Sequence, residues 1–273
     1  MIPFLNPKRP FRIMRNARDL VKDAGLLTDL AMCHDPASRD SWTGLGNTLF
    51  DLSGNGYHMS HGASTAASTD DPTYTGVVGR ETSGDYMLSD GGDYFQLIGA
   101  NDSFIDSWHK LGANVSFVEI NYYATNYGLS WATHSGNTVS NPPVGVLVFT
   151  GGGFSPQWEV GNGSSPRLLY STPGANANNS MTMIGRGHRF NSTTSRDWVG
   201  YNNGTFNSGT ETASFSYSSS PATTQLKYGA SSVPSAWLGA NRQVHTFMVF
   251  GKLLSQSEFD ALRVSFSRRW PTI

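Results

Sequence analysis

A single cysteine, Cys33, occurs in 273 residues, so no intrachain disulfide is available. Charge is scarce: Asp, Glu, Lys and Arg make up 14%, against about 25% in ordinary globular domains. The net charge of -1 argues against a chain-wide nucleic-acid coat. No apolar run approaches a membrane span, and residues 1–10 hold none long enough for a secretory signal. Familiar catalytic signatures are missing too. There is no Gly-x-Ser-x-Gly elbow, and Gly151-Gly152-Gly153 lacks the lysine of a phosphate loop. His58-x-x-His61 lacks the glutamate of a zinc-protease motif. Glycoside hydrolysis needs two carboxyl groups about 5–10 Å apart. Glu119 has only Asn121 beside it on its strand face, and Glu159 stands alone.

What replaces these is turn chemistry: 30 glycines, 13 prolines and many Ser, Thr and Asn. That is the profile of many short strands joined by tight loops. The firmest local pattern is near the end. Residues 244–250, Val-His-Thr-Phe-Met-Val-Phe, are apolar on both alternating faces and read as a strand covered on both sides. Ser255 and Glu258 then form a capping box, with Leu254 and Phe259 as its hydrophobic staple. Phe259, Leu262, Phe266 and Trp270 share one helical face, and Pro271 ends the helix.

Residues 1–22 carry Lys8, Arg9, Arg12, Arg15, Arg18 and Lys22 against Asp19 alone. Phe11, Met14, Ala17 and Val21 recur at helical spacing among them. Residues 1–25 therefore read as a basic helical arm outside the main core, and residues 26–273 as the β domain. Lys8, Arg9, Phe11, Arg12, Met14, Arg15 and Arg18 are the arm's docking candidates. Further strands are expected at residues 26–32, 115–123 and 144–149. Hairpins are expected across Asp90-Gly91-Gly92-Asp93 and Asn202-Asn203-Gly204.

Several of these stretches resemble, in order, the concanavalin A-like (laminin G-like) jelly rolls of bacteriophage structural proteins and bacterial surface proteins. The similar elements are Asp35-Pro36-Ala37-Ser38 after the first strand, Asp51-Leu52-Ser53-Gly54-Asn55-Gly56, Asp90-Gly91-Gly92-Asp93-Tyr94, and the closing strand-to-helix junction with Trp270. The resemblance covers roughly residues 26–270 and implies an all-β, two-sheet antiparallel jelly-roll sandwich. On this chain the sandwich is preceded by a helical arm and closed by a short helix. The resemblance implies no single activity, because fold does not fix function.

Two binding chemistries stay open. Asp51, Ser53 and Asn55 have the spacing of a calcium loop, but position 12 is Gly62, and a structural turn with Asp51 capping amides is the favoured reading, with calcium the alternative. Tyr127 and Trp131, aromatics in a polar stretch, are the glycan-stacking candidates; most other aromatics are assigned to the core. The combined expectation is a non-enzymatic, multi-copy virion subunit without a required cofactor. It docks on capsid or tail proteins through its arm and presents a lectin-like domain. A carbohydrate-binding module for cell-surface glycans is the alternative, and a polysaccharide-acting enzyme comes third. Neither membrane nor nucleic acid is an expected partner.

Overall fold

The closing strand is the axis of the molecule. The computed structural model describes residues 15–123, 128–134, 143–150, 156–164, 167–171, 179–232, 235–236 and 239–273. In chain order its elements are α1 (Ala17–Asp23), β1 (Leu30–His34), β2 (Thr48–Leu49), β3 (Met59–His61), β4 (Thr73–Thr75), β5 (Tyr86–Leu88), β6 (Phe95–Leu97), α2 (Ser103–Ser107), β7 (Asn114–Tyr123), β8 (Gly128–Ala132), β9 (Gly145–Thr150), β10 (Pro156–Gly161), β11 (Leu168–Ser171), β12 (Ser180–Ser192), β13 (Ser195–Asn202), β14 (Thr205–Glu211), β15 (Lys227–Tyr228), β16 (Ala230–Ser232), β17 (Ser235–Ala236), β18 (Gln243–Phe250) and α3 (Gln256–Phe266).

Sixteen of these strands form two eight-stranded antiparallel sheets, and β16 and β17 pair with each other as a separate two-stranded sheet. The first runs β14-β13-β12-β7-β18-β5-β4, and the second β11-β10-β9-β8-β15-β6-β3-β2. In the first sheet β18 pairs with β7 along one edge and divides its other edge between β5 and β1. Every residue of β18 from Val244 onward is buried, as two-sided apolarity demands. Phe247 and Val249 face the second sheet; Met248 and Phe250 face the helices.

Two apolar layers result. One lies between the sheets, where Trp108, Phe117, Trp131, Trp158, Tyr228 and Phe247 meet. The other lies between the first sheet and the helices α1 and α3. The capping box of α3 is formed, and Phe259, Leu262, Phe266 and Trp270 are fully buried. Each such side chain stabilises by roughly 1.5–3 kcal/mol through burial alone. Gly185 and Gly187 on β12 make the bed for this segment. A Cβ on Gly185 would stand 2.1 Å from Cε1 of Phe259. The Asn203-Gly204 turn between β13 and β14 has positive φ at both residues, 44° and 97°, as a tight hairpin requires.

Three expectations are corrected. Residues 15–25 are not an arm outside the core. Ala17, Leu20 and Val21 are buried against α3, and Ser265 Oγ donates to the Leu20 carbonyl at 2.7 Å. The apolar stripe of this helix is covered by the body's own last helix; Lys8, Arg9, Phe11, Arg12 and Met14 lie outside the described residues. The Asp90–Asp93 turn is not a hairpin, because β5 belongs to the first sheet and β6 to the second. It is a corner, held by Asp93 Oδ2 accepting the Asp90 amide at 2.7 Å and by Ser89 pairing with the backbone of Asn241 and Arg242. The first strand also starts later than expected, after a 3₁₀ turn at Leu27–Asp29.

Candidate functional site

Alternation along β7 turns Phe117, Glu119, Asn121 and Tyr123 toward the second sheet. Glu119 thus arrives between the sheets buried, 1% exposed, and the fold surrounds it with donors. Its Oε1 accepts from Tyr123 Oη (3.0 Å), Ser130 Oγ (2.8 Å) and Arg186 Nη1 (3.0 Å). Its Oε2 accepts from Asn121 Nδ2 (3.0 Å), Tyr228 Oη (2.7 Å) and Arg242 Nη2 (2.9 Å). Burial alone would raise this carboxyl. Arg242 and then Arg186, with Tyr228 and Ser130, outweigh it and hold the group below its ordinary range. Glu119 is therefore an ionised bolt between sheets, with neither a proton to give nor a lone pair to spare.

The second sheet's outer face is different. α1 and α3 lie on the first sheet, so neither covers it. Register places Leu169, Glu159, Leu147, Ala132, Lys227, Gln96, Ser60 and Thr48 in one row across all of its strands. One residue along, the inward row is aromatic at all but Val148: Tyr170, Trp158, Val148, Trp131, Tyr228 and Phe95. The outer face thus carries the polar groups that the inner row excludes. At one end the Arg167 guanidinium donates to Glu159 Oε2, and His134 Nε2 lies 3.8 Å from Oε1. Burial pushes the Glu159 carboxyl up to about 7, although Arg167 pulls it down. Leu129, Ala132, Leu147 and Phe149 form an apolar cluster beside it. Toward the other end Lys227, only 4% exposed, lies 5.5 Å from the centre of the Tyr94 ring, next to half-buried Gln96.

The candidates from sequence fall in three places. Asp51 is a structural clasp: Oδ1 accepts the amides of Cys33 (2.9 Å) and Ser53 (3.0 Å), and Oδ2 accepts the Tyr57 amide (3.2 Å) and the Ser53 hydroxyl (2.6 Å). Asn55 Nδ2 donates to the Ala31 carbonyl at 2.9 Å. A calcium ion here would have to displace these ties, so the turn reading is the one the geometry fits. Trp131 was expected at the surface and is 1% exposed; its ring meets Tyr228 edge-on at 5.2 Å and Phe247 at 5.4 Å. A bulge between Leu129 and Trp131 sets it inward. Tyr127 lies outside the described residues. Arg15 precedes α1 and pairs with Asp23, and Arg18 lies within the helix. Sequence reasoning missed Lys227, Gln96, His134 and Arg167 as a group. The available signal was a lysine placed directly before an inward Tyr in a strand.

A groove of about 490 Å³ also opens on the helix side, lined by Tyr122, Asn179, Ser180, Met181 and the tail from Trp270 to Thr272.

These features define a class: an antiparallel two-sheet sandwich with one face sealed by helices and the other carrying polar and charged groups. No family model matches the chain, and no curated protein matches it. Solved structures share the fold. The botulinum neurotoxin serotype D ligand-binding domain in complex with N-acetylneuraminic acid superposes with a TM-score of 0.56 at 10% identity. That match covers 88% of this chain and 52% of the other, so the chain spans about half the length of that neurotoxin domain. Domain 4 of a GH43 extracellular arabinanase from Geobacillus stearothermophilus, in complex with arabinotriose, superposes with a TM-score of 0.54 at 12% identity. That match covers 86% of this chain and 98% of the arabinanase domain.

Proposed function

We propose that this protein is a non-catalytic carbohydrate-binding domain that recognises glycan through the outer face of its second sheet. The observation that carries the reading is the division of the sandwich. The helices close the first sheet, whereas the second carries Glu159, Lys227 and Gln96 in one row, with Arg167 paired to Glu159; Glu159 and Lys227 are buried and Gln96 is half-buried. Sugars are bound by such planar arrays of hydrogen-bonding groups beside apolar and aromatic surface. Two sandwiches of this fold were solved with sugars bound, which supports the reading. The state of Glu119 supports contact over turnover, since both its oxygens are occupied. Binding to a glycan array, with no product released from the bound polysaccharides, is the expected result. Sugar release by the purified protein would overturn the reading.

The domain's setting is a bacteriophage virion, as a head decoration, spike or tail-associated subunit anchored through residues 1–14. This part of the proposal is carried by the sequence resemblance around Asp51–Gly56 and by the basic residues Lys8, Arg9 and Arg12. Mass spectrometry of purified particles should find the chain in many copies; its absence from intact particles would refute the setting.

A further inference from the structure

Among the described residues every buried arginine has a carboxylate. Arg186 and Arg242 share Glu119, Arg196 pairs with Glu211, and Arg269 pairs with Asp35. Lys227 is as buried as these and has none. Among the described residues no carboxylate forms an ion pair with it. The remaining residues cannot supply one either, because residues 1–14, 124–127, 135–142, 151–155, 165–166, 172–178, 233–234 and 237–238 contain no Asp or Glu. The Tyr94 ring replaces only part of the hydration that an ammonium loses on burial. Burial accordingly lowers the pKa of Lys227, and no neighbouring charge opposes that. A positive charge kept at the centre of the row, between Ala132 and Gln96, lacks its counterpart.

We infer that the counterpart comes from the ligand: the second sheet's outer face takes an acidic glycan, whose carboxylate pairs with Lys227. This rests on the glycan-binding reading above and narrows it to one class of sugar. Gln96, half-buried on the next strand, is the neighbour of Lys227 in the row that is not fully buried, and its amide donates to the Ala63 carbonyl at 3.4 Å. Glu159 is three strands away along the row and is engaged by Arg167, so it does not compete for Lys227. A charge-assisted contact made out of bulk water dominates selectivity between otherwise equal sugars.

The test uses the full chain and matched sugars. Binding of 3′-sialyllactose and of trigalacturonic acid is measured by calorimetry against the same two sugars with their carboxyl groups reduced to alcohols. The acidic forms should bind on the order of tenfold tighter or more. Lys227→Met should erase that difference while circular dichroism and the melting temperature stay at wild-type levels, and Lys227→Arg should restore most of it. Bound acidic sugar should also shield Lys227 from acetylation, read by peptide mass spectrometry. If reduced and acidic sugars bind equally and Lys227→Met changes nothing, the acidic preference is overturned and the glycan reading stands. If the folded wild-type protein binds no sugar, acidic or neutral, both fall together.

Discussion

Arg269 grips Asp35 with both arms of its guanidinium, Nη1 to Oδ2 at 2.6 Å and Nη2 to Oδ1 at 3.0 Å, joining residues 234 positions apart. The same carboxylate accepts the amide of Ala17 at 2.8 Å, so the start of α1, the turn after β1 and the C-terminal tail meet on one side chain. Arg269 also lies 4.3 Å from the centre of the Trp270 ring. The helical layer over the first sheet is therefore pinned at this buried point as well as by the Ser265–Leu20 hydrogen bond.

That geometry predicts the cost of breaking the pair. Asp35→Ala leaves a buried guanidinium without an anion and should lower stability by about 3–5 kcal/mol. Arg269→Ala should cost a similar amount, and the double variant much less than the sum. Urea denaturation of the set measures this; strict additivity would contradict the coupling.

Truncation separates the two halves of the N-terminal segment. Removing residues 1–14 leaves the buried residues Ala17, Leu20 and Val21 in place and serves as the reference for the longer truncation. Removing residues 1–25 strips Ala17, Leu20 and Val21 from a layer where they are at most 2% exposed. That loss should destabilise by several kcal/mol, on the order of 1.5–3 kcal/mol for each large side chain. Equal stability of the two truncations would mean that α1 contributes nothing to the fold. In the virion setting, the shorter truncation should also fail to join the particle.

Glu119 offers a direct separation of structure from catalysis. Glu119→Gln keeps the shape but removes the charge that Arg186 and Arg242 share, at a cost of about 3–5 kcal/mol. Chemical denaturation should report a large loss of stability. A variant as stable as the wild type would show that the network is not what holds the sheets in register.

Glu159 should leave a mark on the pH profile. Its folded-state pKa is raised to about 7 from an ordinary 4.5, so the folded protein holds this proton more tightly than the unfolded chain does. The resulting stabilisation is complete below about 4.5 and is lost as the pH rises through about 7. Relative to Glu159→Gln, the wild type should therefore melt progressively lower across that window. Parallel melting profiles for the two proteins would contradict the assignment.

How much of this was legible in the sequence depended on how local each signal was. β18 and α3 could be read because two-sided apolarity and the Ser255–Glu258 box are written in adjacent residues. Asp51 could be read as a clasp for the same reason. The Asp90–Asp93 corner could not, because turn residues say that the chain reverses but not which sheet receives the next strand. α1 showed an apolar stripe without showing that residues more than two hundred positions away would cover it. Trp131 looked exposed beside polar neighbours, and only the bulge in β8 explains its inward position. The outer-face row is the extreme case. Glu159, Lys227 and Gln96 come from distant segments, and only the strand order places them in line.

The most direct measurement is hydrogen exchange with and without a bound oligosaccharide selected from the array. Protection gained at residues 95–97, 128–132 and 227–228, with none gained over α3, is the predicted result. Protection confined to the Tyr122 groove beside the C-terminal tail, or gained nowhere on the second sheet, would contradict it.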